Sequence, residues 1–284
     1  MKKRLKKLSK RATALIVCAA IVGSMAIVCL SMQIAFMQAD KIKCWTPSYE
    51  KADISAMLDA PEAERDYALL YRQTGLTKAG IDRCLERSDG KRRILDIQSD
   101  YFGKYEVENG FFAPFVCTDY IDKYISHVFL EDGDIIVTSS THFSGWRIGH
   151  AGLVTDGDYN RVIQASAYGS TSEIGNMGDF TDRVNFMVLR VKDEYVNDET
   201  RGEIAKYAAE NLCGKKYDIS AGVLSSKNKV KRTQCAHLVW YAYKQFGIDI
   251  DGNGGPVVTP RNIANSPKTE LLQVFGFDPV KLWR

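Results

Sequence analysis

The sequence predicts an α+β domain that follows a helical region and an N-terminal membrane anchor. Three observations predict this order. An uncharged apolar run occupies positions 12–39, and apolar residues at helical spacing follow over positions 61–126. From Glu131 onward, short apolar segments alternate with turn signals and then lead into two amphipathic helices. Strands and helices in separate runs are typical of α+β domains.

The first eleven positions hold seven of the 38 lysines and arginines and no acidic residue. The uncharged run that follows has 28 positions, whereas a spanning helix needs roughly 20 apolar residues and the apolar core of a signal peptide has about 7–15. Met37–Ala39 is also a poor cleavage site. We therefore predict an uncleaved anchor over residues 12–39, with a cleaved signal as the alternative. Because basic flanks stay in the cytoplasm, the chain beyond Asp40 is expected outside the cell membrane, as in a single-pass protein.

Charge and cysteine content narrow the function classes. Beyond the basic tail the chain holds 31 basic and 35 acidic residues, so its charge gives no reason to expect a basic face for a nucleic-acid partner. No Cys/His cluster has metal-ligand spacing, so neither a metal nor a cofactor is predicted. An odd number of cysteines follows the anchor, which leaves at least one thiol unpaired in an oxidising compartment. These are Cys44, Cys84, Cys117, Cys213 and Cys235.

Four regions are predicted: a cytoplasmic basic tail at 1–11, the anchor at 12–39, a helical region at 40–129, and the α+β domain at 130–284. The helical region carries no catalytic cluster and is expected to pack on the domain or to act as a spacer. In the domain, alternation predicts strands at Gly133–Thr138, Ile148–Thr155, Arg161–Ala165, Val184–Val191 and around Glu270–Phe275. Helical spacing predicts helices at Asp198–Cys213 and Cys235–Phe246.

Cys235 is the candidate nucleophile. It begins a predicted helix and follows Lys231 and Arg232. The helix N-terminus carries roughly half a positive charge, and nearby cations add to it. Both favour the thiolate, the reactive form of cysteine, over the thiol. A small buried apolar residue is the alternative interpretation of Cys235.

His150 is the candidate base. It lies in a predicted strand among the small residues of Gly149–Gly152, which let another element approach the ring. His237 follows Cys235 by two positions, so on a helix it points away from the thiol. His127 and His142 lie in predicted loops. A nucleophilic thiol needs a nearby proton acceptor, and a histidine can supply it.

Gln164, in the next strand, is the candidate that orients His150. A three-residue turn between the strands would place Gln164 directly across from His150, and a two- or four-residue turn would place it on the other face. The sequence leaves this register open, and Glu173 and Ser166 remain alternatives. A carbonyl or carboxylate that accepts from the second ring nitrogen is what a catalytic histidine needs.

Several segments together resemble the YiiX-like branch of the permuted papain-fold, NlpC-type cysteine hydrolases. The resemblance covers about residues 130–268, in segments 131–136, 149–152 with 162–165, 214–218 with 235–240, and 258–267. It implies a circularly permuted papain-like fold in which the histidine strand precedes the cysteine helix. By position, it implies Cys235 as nucleophile, His150 as base, Gln164 as the third polar residue and Tyr217 as a substrate-binding residue beside the thiol. The branch often has Glu where this chain has Gln164 and Ser where it has Ala236.

The expected function is that of a membrane-anchored extracytoplasmic cysteine amidase or peptidase. It would act through an acyl-enzyme, with amide bonds of cell-wall peptides as the expected substrate. Two alternatives remain: a lipid amide or ester acyl hydrolase or transferase, and a catalytically quiet cell-wall-binding module. The loop Asp249–Gly254 begins like a calcium loop, but Pro260 occupies the position of the bidentate glutamate, so a polar turn is expected there.

Overall fold

The computed structural model describes residues 10–39, 44–113, 116–143, 146–221 and 226–283. The described helices are α1 (Lys10–Ala39), α2 (Ser55–Asp59), α3 (Tyr67–Thr74), α4 (Lys78–Leu85), α5 (Gly90–Tyr101), α6 (Gly178–Thr181), α7 (Asp198–Asn211), α8 (Cys235–Gln245) and α9 (Pro260–Ala264). The described strands are β1 (Val107–Ala113), β2 (Val116–Ile121), β3 (Ile135–Thr138), β4 (Thr141–Phe143), β5 (His150–Asp156), β6 (Arg161–Gln164), β7 (Glu173–Asn176), β8 (Phe186–Val191), β9 (Lys216–Tyr217), β10 (Arg232–Thr233) and β11 (Thr269–Phe275).

A six-stranded antiparallel sheet forms the centre of the molecule, in the order β11-β8-β3-β5-β6-β7. Successive side chains of a strand point to opposite faces. Ala151 and Leu153 of β5 therefore join one hydrophobic core, and Val154 joins the other. Both faces are covered by helices, which confirms the predicted α+β class.

Helices α7 and α8 cover the first face of the sheet. Trp240 and Tyr243 of α8 are 1% and 0% exposed, and Ile204 of α7 is fully buried beside them. The Tyr243 hydroxyl donates to the carbonyl of Gly133 at 2.5 Å. Full burial of a large apolar side chain stabilises the fold by about 1.5–3 kcal/mol. These contacts therefore fix α8, which begins at Cys235, against the sheet.

The region that precedes the domain covers the second face. Leu70, Ile81 and Ile94 of helices α3–α5 pack in one core with Val154 and Phe186 of the sheet. The predicted helical region therefore packs on the sheet and is not a spacer.

A buried ion pair joins the same two parts of the chain. Arg83 of α4 donates to Asp134 at 2.5 Å, and the Asp134 side chain is 0% exposed. Burial raises the pKa of the Asp134 carboxyl, and the Arg83 guanidinium opposes that rise. Because an unpaired buried carboxylate is costly, this pair ties α4 to the start of β3.

One part of the predicted helical region is wrong. Residues 107–113 and 116–121 form the antiparallel strands β1 and β2, and β2 pairs further with β4 through Cys117 and His142. Helical spacing is a local signal, whereas this small sheet is completed by a strand more than twenty residues later. Pairing with distant chain therefore overrides the local pattern here.

The apolar N-terminal segment is one continuous helix. Within α1, residues Lys10–Ile34 are long and apolar enough to cross a membrane, with a mean hydropathy of 2.5. Its large apolar side chains are exposed, among them Leu15 at 71% and Val22 at 67%. A helix that is apolar all round and not covered by the domain fits a bilayer better than water.

Candidate active site

Cys235 is the first residue of α8. Gln234 caps this helix, since its side-chain oxygen accepts from the amide of Ala236 at 2.9 Å. The chain enters the cap through β10, which pairs in parallel with β9, so Thr233 lies opposite Tyr217. His237 is held away from the thiol, because its ring contacts the hydroxyl of Thr233 at 2.9 Å and the carbonyl of Lys227 at 2.8 Å.

A cleft of about 790 Å³ opens beside the thiol. Cys235 and Tyr217 both line it, as the resemblance implies for this pair. Other walls come from residues 147–149, from the segment 252–265 and from Trp283. Cys235 is 7% exposed, so its accessible surface faces this cleft. The cleft is large enough to bury a small peptide or acyl group.

His150 is the first residue of β5, next to the cleft-lining Gly149. Its ring stacks on Phe180 with 5.3 Å between ring centroids and 15° between planes. Phe180 belongs to the second core, so the His150 ring lies on the face of the sheet opposite to α8, and His150 is not among the residues that line the cleft. Gly152 makes this stacking possible, because a Cβ there would lie 2.8 Å from the Phe180 ring. The expectation that small neighbours let another element approach His150 is therefore confirmed.

The strand register that the sequence left open brings Gln164 to His150. Gln164 pairs with Gly152, two residues from His150 and on the same face of β5. A bulge between Val154 and Asp156 sets this register. The Gln164 side chain reaches diagonally past the glycine, and its Oε1 lies 2.7 Å from Nε2 of His150.

Neither alternative partner takes this role. Glu173 lies opposite Gln164 on β7, but its side chain is exposed. The hydrogen bond of the His150 ring within the described chain is the one to Gln164, and Ser166 makes none with it.

Asp179 is a functional candidate that the sequence analysis missed. Its Oδ2 accepts from Nε2 of Gln164 at 2.7 Å. A carboxylate can only accept, so the amide nitrogen of Gln164 must face Asp179 and the amide oxygen must face His150. His150 therefore carries its proton on Nε2 and keeps Nδ1 as the acceptor, which is the tautomer of a general base. No local motif marks Asp179, which is brought to Gln164 by the short helix α6.

Burial dominates the titration of Cys235 and raises the pKa of its thiol to about 11. The backbone amides of Ala151 and Ala236 donate toward the sulfur and oppose this rise only in part. Arg232 is largely exposed and pairs with Asp218 at 3.7 Å. The expectation of a lowered thiol pKa is therefore wrong for the resting protein, because desolvation exceeds the helix N-terminal effect.

Burial also lowers the pKa of the His150 imidazole, to about 3, with a smaller contribution from the Arg183 guanidinium. The hydrogen bond to Gln164 acts in the opposite direction. Arg183 is itself buried, donating to the carbonyl of Asp179 at 2.6 Å and to the hydroxyl of Thr141 at 2.8 Å. At neutral pH the resting site therefore holds a neutral thiol and a neutral imidazole beside one buried cation.

The loop that begins like a calcium site uses its carboxylates within the protein. Asp249 accepts from the indole of Trp240 at 2.8 Å and pairs with Lys244 at 3.0 Å. Asp251 pairs with Lys227. These contacts fix the loop that follows α8, in agreement with the predicted polar turn. Across the described residues, no group of three or more His, Cys, Asp or Glu side chains is arranged to hold a metal ion.

The comparisons with known proteins add no relative. No protein-family model, no curated protein and no solved structure matches this chain.

Proposed function

We propose that this protein is a membrane-anchored cysteine amidase or peptidase that acts outside the cell membrane on amide bonds of cell-wall peptides. One observation carries the proposal: a cleft-lining cysteine at a helix N-terminus lies beside the strand of a histidine whose tautomer is fixed for proton acceptance. The order of these elements, with the histidine strand before the cysteine helix, is that of the permuted papain-like fold. The anchor and its basic flank support the membrane location.

The proposed reaction starts from a neutral pair. In the resting structure the Cys235 thiol donates to Oε1 of Gln234 at 3.4 Å, so the proposed reaction requires it to turn toward Nδ1 of His150. The thiol then gives its proton to Nδ1 while the sulfur bonds to the acyl carbon. The backbone N–H of Cys235 has no partner within the helix and would stabilise the oxyanion. The leaving amine then takes the proton from His150 as the C–N bond breaks, which leaves a thioester on Cys235. Water cleaves the thioester, and the thiol regains a proton.

A second candidate is hydrolysis or transfer of lipid acyl groups. The apolar part of the cleft wall favours it, since Ile148, Ile219, Val258 and Trp283 all line the cleft. A domain tethered by α1 would also meet lipid at the membrane surface. Incubation with lipid amides and esters under the same conditions as the wall peptides separates the two candidates.

The experiment uses the full-length chain in detergent and detects an acyl-enzyme. Wall peptides are added, and the mass of a thioester on Cys235 and the release of a free amine are followed by mass spectrometry. The wild-type chain should form both products, and Cys235→Ala should form neither. His150→Ala should form them at least 100-fold more slowly, because a general base typically accelerates a reaction by about that factor or more. Peptide binding without amine release, equal in wild type and Cys235→Ala, would instead support the quiet binding module.

A further inference from the structure

Charge is distributed unevenly along the cleft. The described lining residues include two arginines, Arg147 and Arg261, and no aspartate or glutamate. Arg147 is held by Asp119, with 2.7 Å between Nη1 and Oδ2. Arg261 is exposed and forms no ion pair with any residue that the structure describes. The cleft beside the nucleophile therefore presents an uncompensated positive charge.

This charge stands on a fixed backbone. Arg261 lies in α9, whose first turn is closed by a capping box between Thr259 and Asn262. The amide of Asn265 donates to the carbonyl of Arg261 at 2.8 Å and to the carbonyl of Trp283 at 2.8 Å. These contacts join α9 to the other cleft wall. The position of the Arg261 backbone is therefore set relative to Cys235 before any substrate binds.

We infer that the cleft selects peptide substrates that carry a free carboxylate close to the scissile amide, with Arg261 as the carboxylate-binding residue. This inference rests on the proposed function. A guanidinium binds a carboxylate through two parallel hydrogen bonds, which fixes orientation as well as charge. Asn253 and Asn262 line the same wall, and their side-chain amide nitrogens are donors of the kind that a peptide carbonyl accepts from.

The charge of the cleft can be measured before any substrate is known. Iodoacetate and iodoacetamide alkylate the same sulfur and have nearly the same size, but only iodoacetate is anionic. In the full-length chain the two rates are followed at Cys235, and those at the exposed Cys213 serve as an internal reference. The iodoacetate-to-iodoacetamide ratio should be higher at Cys235 than at Cys213. Arg261→Gln should lower it about two- to fivefold at low salt, because two unit charges a few ångströms apart in water interact by about 1 kcal/mol or less.

Arg92→Gln is the matched control, because Arg92 is 87% exposed on α5 and does not line the cleft. It should leave the ratio unchanged. Salt at about 1 M should erase the difference between wild type and Arg261→Gln, since the screening length is then about 3 Å. An unchanged ratio in Arg261→Gln overturns the inference and leaves the proposed function intact. The proposed function is tested separately: a wild-type chain that forms no thioester and releases no amine from wall peptides overturns it.

The carboxylate is tested by protection. A short peptide with a free carboxylate should protect Cys235 from iodoacetamide at lower concentration than the same peptide with that group amidated. Arg261→Gln should remove this difference by weakening the binding of the peptide with the free carboxylate alone. If Arg261 had only a structural role, the substitution would weaken the binding of both peptides. Equal protection by the two peptides, or protection by anionic lipid vesicles in place of the peptide, overturns the assignment.

Discussion

The link from Gln164 to Asp179 predicts that a single change, Asp179→Asn, impairs the base without touching the thiol. The carboxylate of Asp179 accepts from Nε2 of Gln164 at 2.7 Å and so fixes which way the amide faces. An asparagine there can donate as well as accept, so the Gln164 amide can rotate. In the rotated form its nitrogen faces His150, which then must carry its proton on Nδ1 and cannot accept from Cys235.

The magnitude follows from the hydrogen bond that is weakened. A bond to a charged group contributes about 1.5–3 kcal/mol, and a neutral one about 0.5–1.5 kcal/mol. A loss of about 1.4 kcal/mol corresponds to a tenfold change in an equilibrium. We therefore expect the equilibrium preference for the Nε2–H tautomer to fall by about tenfold, and the rate of Cys235 acylation, which follows the population of that tautomer, to fall by up to the same factor. Loss of a comparable outer partner of a metal-bound histidine costs 10–100-fold, which is the same range.

The assay measures both the tautomer of His150 and the rate at which Cys235 reacts. Nitrogen chemical shifts of ¹⁵N-histidine-labelled protein report which ring nitrogen of His150 carries the proton, with the resonance assigned from a His150→Gln variant. Alkylation by iodoacetamide reports the thiol. Glu173→Gln is the matched control, because Glu173 also neighbours Gln164 but is exposed. Unchanged shifts and rate in Asp179→Asn, or an equal loss in Glu173→Gln, would refute the tautomer argument.

Three further predictions concern the surroundings of the site. Gly152→Ala should cost about 1–3 kcal/mol of stability and slow acylation, since its Cβ would lie 2.8 Å from the Phe180 ring; an unchanged melting temperature contradicts this. Because the pKa of His150 is lowered from 6.5 to about 3, the unfolded chain binds the proton first as pH falls. His150 should therefore make the unfolding free energy decline by about 1.4 kcal/mol per pH unit from roughly pH 6.5 to 3, and His150→Gln should flatten that slope in denaturant titrations. Arg83→Met should destabilise the fold by about 3–5 kcal/mol, with partial rescue by Asp134→Asn; a loss within 1 kcal/mol would argue against a buried pair.

The chain's local patterns predicted some of its regular elements. The uncharged run predicted α1, and the alternation around residues 148–165 predicted the hairpin of β5 and β6. The start of α8 at Cys235 was predicted from helical spacing. In each of these elements the signal repeats within one segment, so composition and periodicity suffice.

Contacts between distant segments decided the rest. The bulge in β5 set the register that brings Gln164 to His150, and α6 supplied Asp179 and Phe180 without any motif of its own. Contacts between distant segments also reversed the predicted direction of the shift in the pKa of the Cys235 thiol. A helix N-terminus can be read from sequence and favours thiolate, but desolvation depends on every element packed around Cys235. Sequence therefore identified the candidate side chains, whereas only the tertiary structure fixed their partners, protonation and access, because those properties arise from packing between segments that the local pattern does not connect.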